Sequence, residues 1–322
     1  MIKQLELFGL IPVVTVDRAA DALPLCRALA AGGLPLAEIT FRTPAAEEAI
    51  ALVHRELPNV LLGAGTVLTP DQADRAWAAG ARFIVSPGFN PRLVAHCQDR
   101  GYPVLPGCMS PSDLEAALSM GLSAVKFFPA EAAGGVPMLK ALAGPYPAMR
   151  FVPTGGINSR NLMAYLGLPG VLACGGSFML PKAALAQQDW DTVTQLTRQA
   201  VDSMLGLELR HIGINHPDAG EAGKTAERLG RLLALAPSRD SAQSCFVGEG
   251  FEVMKVMGRG EKAHLALAVN HLPRARFHLE QRGFQFDDSS LVTDAGGQHR
   301  LLYLREEIAG FAIHLLQKQE AP

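Results

Sequence analysis

The sequence predicts an α/β chain, a (β/α)8 TIM barrel over residues 1–205 followed by a smaller α+β domain over residues 206–322. Three observations lead there. Short apolar runs without polar alternation recur, each followed by an amphipathic stretch, the pattern of parallel strands buried on both faces. Eight such units crowd into about 200 residues, the lower limit for a closed barrel. From Gly206 onward the texture changes to histidines, charges and a different rhythm.

After a short polar start, Leu10 to Val16 reads as the first strand, and the helix behind it runs from Asp17 to a glycine stop at Gly32-Gly33. Leu36 to Phe41 is the second strand, before a helix opened by Thr43-Pro44, a threonine cap with proline at the first helical position. Val60 to Gly65 precedes a helix opened by Thr69-Pro70, Arg82 to Ser86 one opened by Asn90-Pro91, and Pro103 to Pro106 one opened by Ser110-Pro111. Ala124 to Phe128, Arg150 to Pro153 and Val171 to Cys174 complete the set. A doubly wound open sheet is the alternative, but the first strand runs into Val16-Asp17-Arg18, where that fold's dinucleotide fingerprint carries Gly-x-Gly-x-x-Gly.

Composition removes several classes of function. Lysine and arginine total 29 against 31 acidic residues, a formal net charge of −2, so there is no electrostatic footprint for nucleic acid or an anionic membrane. The N-terminus lacks a signal-peptide block and no apolar run approaches a membrane span, so a cytoplasmic protein is expected. Five scattered cysteines without a Cys-x-x-Cys pair read as buried or idle thiols.

The chemistry centres on Lys126, set among Ala124, Val125, Phe127 and Phe128. Burial disfavours an ammonium, and a desolvated amine attacks carbonyls to give an imine. A lysine that snorkels out or pairs with a carboxylate is the bland reading. In a barrel, strands two and six lie opposite, which sets Glu38 across the mouth from Lys126, and imine chemistry needs a proton carrier there. Gly155-Gly156 and Gly175-Gly176 follow the seventh and eighth strands, where barrel enzymes hold phosphate on backbone N–H groups. Thr154 and Ser177 flank these pairs.

Five stretches carry a resemblance: Ala37-Glu38-Ile39-Thr40-Phe41-Arg42-Thr43, Gly63-Ala64-Gly65-Thr66-Val67, Val85-Ser86-Pro87-Gly88, Lys126-Phe127-Phe128-Pro129-Ala130-Glu131 and Pro153-Thr154-Gly155-Gly156-Ile157. In that order they closely resemble the bacterial 2-keto-3-deoxy-6-phosphogluconate (KDPG) aldolase / 4-hydroxy-2-oxoglutarate (KHG) aldolase family over residues 1–205. The resemblance implies a cofactor-free class I aldolase, a homotrimer through its barrel, acting on a small keto acid or phosphosugar. It implies Lys126 as the Schiff-base lysine, Glu38 as proton shuttle, and Arg42 with Thr66 on the pyruvate carboxylate. Phe128 would pack beside the imine, Thr154 would line the substrate, and Gly155, Gly156, Gly176 and Ser177 would bind phosphate. The family usually carries a branched aliphatic and a threonine where this chain has Cys108 and Ser110, a departure that bears on substrate preference. The competing function is a non-catalytic phosphosugar-binding or regulatory protein with the second domain as output.

In the last third, a strand (Leu209 to Ile214), a helix (Gly220 to Leu235) and strands (Ser244 to Val247, Phe251 to Met257) are followed by a second round. That round is Ala263 to Val269, a helix over Pro273 to Arg282, and strands near Phe284, Leu301 to Leu304 and Phe311 to Leu315. This repeat resembles the paired βαβββ modules of the glyoxalase/vicinal-oxygen-chelate superfamily, with the first module one strand short. The resemblance puts divalent-metal ligands at His211, Glu252, His264 and His314, a donor set that suits a transition metal. Solvated histidines on half-exposed strands, in an interaction or regulatory module without metal, are the plain alternative.

Overall fold

Where the sequence reads as a polar start, the chain forms a helix, α1 (Ile2–Phe8), which buries Leu5 and Phe8 and ends at Gly9 in the left-handed region. The structure is a computed structural model that describes residues 1–318. Two compact units divide the chain, one ending at Met204 and the other beginning at Leu205.

The first unit continues with β1 (Leu10–Val14), α2 (Ala19–Ala31), β2 (Leu36–Thr40), α3 (Ala46–Glu56), β3 (Leu61–Gly65), α4 (Pro70–Ala79), β4 (Phe83–Val85) and α5 (Pro91–Asp99). Then come β5 (Val104–Leu105), β6 (Gly107–Cys108), α6 (Pro111–Ser119), β7 (Ala124–Phe127), α7 (Gly135–Ala143) and β8 (Arg150–Pro153). The unit closes with α8 (Leu162–Leu166), β9 (Cys174–Gly176), α9 (Lys182–Gln187) and α10 (Trp190–Leu205). All strand pairs are parallel, in the orders β5-β4-β3-β2-β1-β9 and β6-β7-β8, forming a curled α/β sheet. Pro106, which has no N–H for a ladder, separates β5 from β6, and its carbonyl still accepts from Lys126 N–H at 2.9 Å. Single bridges, Thr154 to Gly175 and Phe151 to Val171, tie β8 to the chain at β9.

Three helix starts follow the capping signals. Thr69, Asn90 and Ser110 accept from the first-turn N–H groups of α4, α5 and α6, each with proline inside, and Ser110 with Asp113 completes a capping box. Thr43 does not cap α3. Its hydroxyl donates to Val16 O at 2.6 Å, and the helix begins at Ala46. The eighth strand also lies later than the expected Val171 to Cys174, at Cys174–Gly176, because its ladder partners Leu10, Ile11 and Pro12 stand opposite residues 174–176.

The second unit runs β10 (Glu208–Ile214), α11 (Ala219–Leu233), β11 (Pro237–Ser238), β12 (Ser244–Val247), β13 (Phe251–Met254), then β14 (Ala263–Val269), α12 (Leu272–Gln281), β15 (Val292–Thr293), β16 (His299–Ile308) and β17 (Phe311–Gln317). Each round is strand, helix and three strands. The two-residue β11 supplies the strand the first round lacks in sequence, and Phe286 makes only a single bridge to Leu304 where a strand near Phe284 is expected. The sheet order is β11-β12-β13-β10-β14-β17-β16-β15. β10 and β14 pair antiparallel at its centre, with β13 and β17 parallel beside them. All five cysteines are free and buried. Among the described residues no helix is long and apolar enough to cross a membrane.

Candidate active site and a second polar cluster

β7 is buried along its length, and Lys126 stands on it between Gly107 of β6 and Val152 of β8. Glu38 stands on β2 between Val13 of β1 and Gly63 of β3. Both side chains are buried, 6% and 2% exposed, and Lys126 Nζ donates to Glu38 Oε1 at 3.2 Å. Strands far apart in sequence thus bring one amine and one carboxylate together out of water. Such a pair is held by mutual dependence, since removing either partner strands a buried charge. Gly65 on β3 makes the room, because a Cβ there would fall 2.3 Å from Glu38 Oε1. The Phe128 ring centroid lies 5.1 Å from Lys126 Nζ.

Just beyond β2 and β3, the exposed Arg42 donates from Nε to Thr66 Oγ1 at 3.2 Å. Thr66 has φ 56, a left-handed conformation that a β-branched residue adopts only under strain. A cation and a hydroxyl are thereby presented together just beyond the ends of β2 and β3, the pairing a small carboxylate needs.

Gly155 and Gly156 have φ of 98 and 82. The Thr154 to Gly175 bridge makes the two glycine loops neighbours, and a Cβ at Gly175 would strike Thr154 Oγ1 at 2.3 Å. Thr154 is buried and its hydroxyl bonds back to Val152 O at 3.4 Å. Sequence reading missed the residues that hold this loop from outside: Glu131, Asn158, Asn161 and Tyr165. The two asparagines just after a glycine pair were the available signal, because asparagine side chains bond nearby turn backbone.

In the second unit the first and last strands of each round carry His211, Glu252, His264 and His314. His211, Glu252 and His264 offer ligand atoms within 4.8 Å of one another. Both imidazole Nε2 atoms lie 3.2 Å from Glu252 Oε2. Gly213 sits between Glu252 and His264 in the ladder, and a Cβ on it would overlap the His264 ring at 1.9 Å from Cε1. Burial alone would raise the Glu252 carboxyl, but hydrogen bonds from His211, His264 and Ser244 outweigh it and hold it far below the usual range. His314 packs beside these rings, 5.6 Å from His211 and 5.2 Å from His264 between centroids. It is 2% exposed, and among the described residues neither ring nitrogen has a hydrogen-bond partner. Burial, then the neighbouring histidines, push its pKa down to about 3.

Residues 1–196 match the family model for KDPG and KHG aldolase. The chain belongs to that aldolase family. A 2-dehydro-3-deoxy-phosphogluconate aldolase of Treponema pallidum is 56% identical over 199 residues, covering 62% of this chain and 95% of the relative. The KHG/KDPG aldolase of Escherichia coli K12 is 43% identical over 192 residues, covering 60% and 90%. Among solved structures, the KDPG aldolase of Legionella pneumophila, with pyruvate captured as a covalent carbinolamine, superposes with a TM-score of 0.61 at 44% identity, covering 62% of this chain and 98% of its own. All these matches lie in the unit that carries the lysine–carboxylate pair.

Proposed function

We propose that the first unit is a class I aldolase that cleaves KDPG to pyruvate and glyceraldehyde 3-phosphate, with KHG, giving pyruvate and glyoxylate, as a second substrate. The observation that carries this is the buried pair Lys126–Glu38, 3.2 Å apart. The Lys126 amine adds to the C2 carbonyl, and the carbinolamine loses water as Glu38 moves protons at that centre. The resulting iminium is an electron sink. Removal of the C4 hydroxyl proton lets the C3–C4 bond break, its electron pair passing into an enamine as the aldehyde leaves. The enamine takes a proton at C3, and water releases pyruvate and Lys126. Arg42 and Thr66 hold the carboxylate, Phe128 flanks the imine, Thr154 walls the far end, and Gly155, Gly156, Gly176 and Ser177 receive the phosphate. These steps use side chains and water alone.

The pairing of β1 with β9 and the bridges from β8 support reading the curled sheet as a closed (β/α)8 barrel, with β5 and β6 as one interrupted strand. The family likeness is the support for a homotrimer and for a cytoplasmic location. Turnover is tested by coupling pyruvate release to lactate dehydrogenase with each substrate. Binding of the phosphosugar without turnover by the wild-type protein would favour the regulatory alternative.

For the second unit, whose two strand–helix–strand rounds support a glyoxalase-like assignment, we propose one divalent transition metal at His211, Glu252, His264 and His314. The donor chemistry fits: three imidazoles and one carboxylate kept ionised, with His314 carrying two buried nitrogens that no donor or acceptor among the described residues satisfies. Ser244 Oγ donates to Glu252 Oε1 at 2.7 Å, which orients the carboxylate and leaves Oε2 toward the histidines. A metal there would supply Lewis-acid polarisation of an oxygen ligand. Metal analysis of protein purified without chelators is expected to find about one ion per chain, lost in His264→Ala. Metal-free wild-type protein that takes up no added ion would refute the assignment.

A further inference from the structure

Every carbonyl through the first glycine loop is engaged. Thr154 O accepts from Ala130 N–H at 2.8 Å and Gly155 O from Glu131 N–H at 3.0 Å. Gly156 O accepts from the side-chain amides of Asn158 at 3.0 Å and Asn161 at 3.1 Å. Asn161 Oδ1 also accepts Asn158 N–H at 2.8 Å, which locks the two asparagines together. Glu131 is fixed in turn, because the fully buried Tyr165 donates its hydroxyl to Oε1. Its stem lies against the loop, where a Cβ on Gly156 would fall 2.5 Å from Glu131 Cγ.

A trans peptide is planar, so anchoring a carbonyl also aims the N–H of the following residue the opposite way. Holding Thr154 O and Gly155 O therefore points the N–H groups of Gly155 and Gly156 away from the Ala130–Glu131 backbone, and holding Gly156 O fixes the end of the turn. Two glycines in succession, free to take many conformations alone, are reduced to one. We infer that Asn161, with Asn158 and the Glu131–Tyr165 pair, positions these amides and so sets the preference for phosphorylated over unphosphorylated substrates. The inference rests on the reading of Gly155-Gly156 as the phosphate cradle. These four side chains act through the loop and are positioning residues.

The test compares KDPG, which carries the phosphate, with KHG, which does not. In Asn161→Ala, KM for KDPG is expected to rise about tenfold, the worth of a lost hydrogen bond to an anchored group, with kcat and the KM for KHG within about twofold of wild type. Asn161→Asp keeps the bond to Asn158 N–H but loses the donor to Gly156 O, and is expected to behave like the alanine variant. Glu131→Ala is expected to show the same split, and Glu131→Gln, which keeps an acceptor for Tyr165, to restore it. Equal changes on both substrates, or no change in KM for KDPG, would overturn the inference. A wild-type enzyme with equal KM for both substrates and no competition by inorganic phosphate would instead remove the cradle reading, and this inference with it. Thermal melts of each variant separate loop effects from unfolding, and the two sites give independent readings.

Discussion

Replacing Gly65 with alanine would place a methyl group 2.3 Å from Glu38 Oε1. Ordinary contact with a Cβ begins at 3.4 Å, so the carboxylate must retreat by about 1 Å. The Lys126–Glu38 separation, 3.2 Å in the native protein, would then stretch to about 4 Å, outside hydrogen-bond range. Misplacement of a catalytic group by about 1 Å costs up to about 100-fold in rate, or about 2.7 kcal/mol of barrier. Gly65 is in register with Thr40 on β2 and its φ is not positive, so the backbone itself tolerates alanine. Gly65→Ala is therefore expected to lose between about 10- and 100-fold in kcat, with the KM for KDPG changed far less. The assay is coupled pyruvate release, run beside thermal melts. A folded Gly65→Ala protein with wild-type kcat would refute the claim that Glu38 works from its position against Lys126.

Three further outcomes follow from the geometry. Gly213→Ala pushes the His264 ring off Glu252 and His211, so metal affinity by equilibrium titration is expected to fall at least about tenfold, and retention of full affinity would sink the assignment. Burial and then the hydrogen bond to Glu131 push the Tyr165 hydroxyl well above the usual phenol range, so above pH 10 the unfolded chain ionises while the folded one does not. Stability should then fall by about 1.4 kcal/mol per pH unit more steeply in wild type than in Tyr165→Phe, measured by denaturant titration, and parallel slopes would contradict this. Burial pushes the Cys26 thiol up to about 12, so iodoacetamide at pH 8 should label it only after unfolding, as read by mass spectrometry of peptides.

The parts of the fold legible in sequence are those with side-chain pattern or cap chemistry behind them. Apolar runs marked β1 to β5, β7 and β8, but not the two-residue β6, and Thr69, Asn90 and Ser110 marked helix starts because each offers an oxygen to a first-turn N–H. The strand Cys174–Gly176 was misplaced because two of its three residues have no side chain to pattern. Helix α1 escaped because two buried residues, Leu5 and Phe8, show too little periodicity to declare a helix. Thr43 misled because its hydroxyl has a stronger claim on Val16 O than on the helix. In the site, the pair of residues 38 and 126 was legible from strand order alone. Asn158 and Asn161 carried only the turn signal of asparagines after a glycine pair, which does not say that they hold Gly156 O, and Tyr165 carried none, because its partner is the Glu131 carboxylate, distant in sequence.

The most direct test of the central claim is borohydride reduction in the presence of pyruvate, followed by peptide mapping. The account requires one reduced pyruvate adduct per chain, on the peptide that carries Lys126, and none in Lys126→Ala. Wild-type protein that releases pyruvate from KDPG yet carries no adduct at Lys126, or carries it on another lysine, would contradict it.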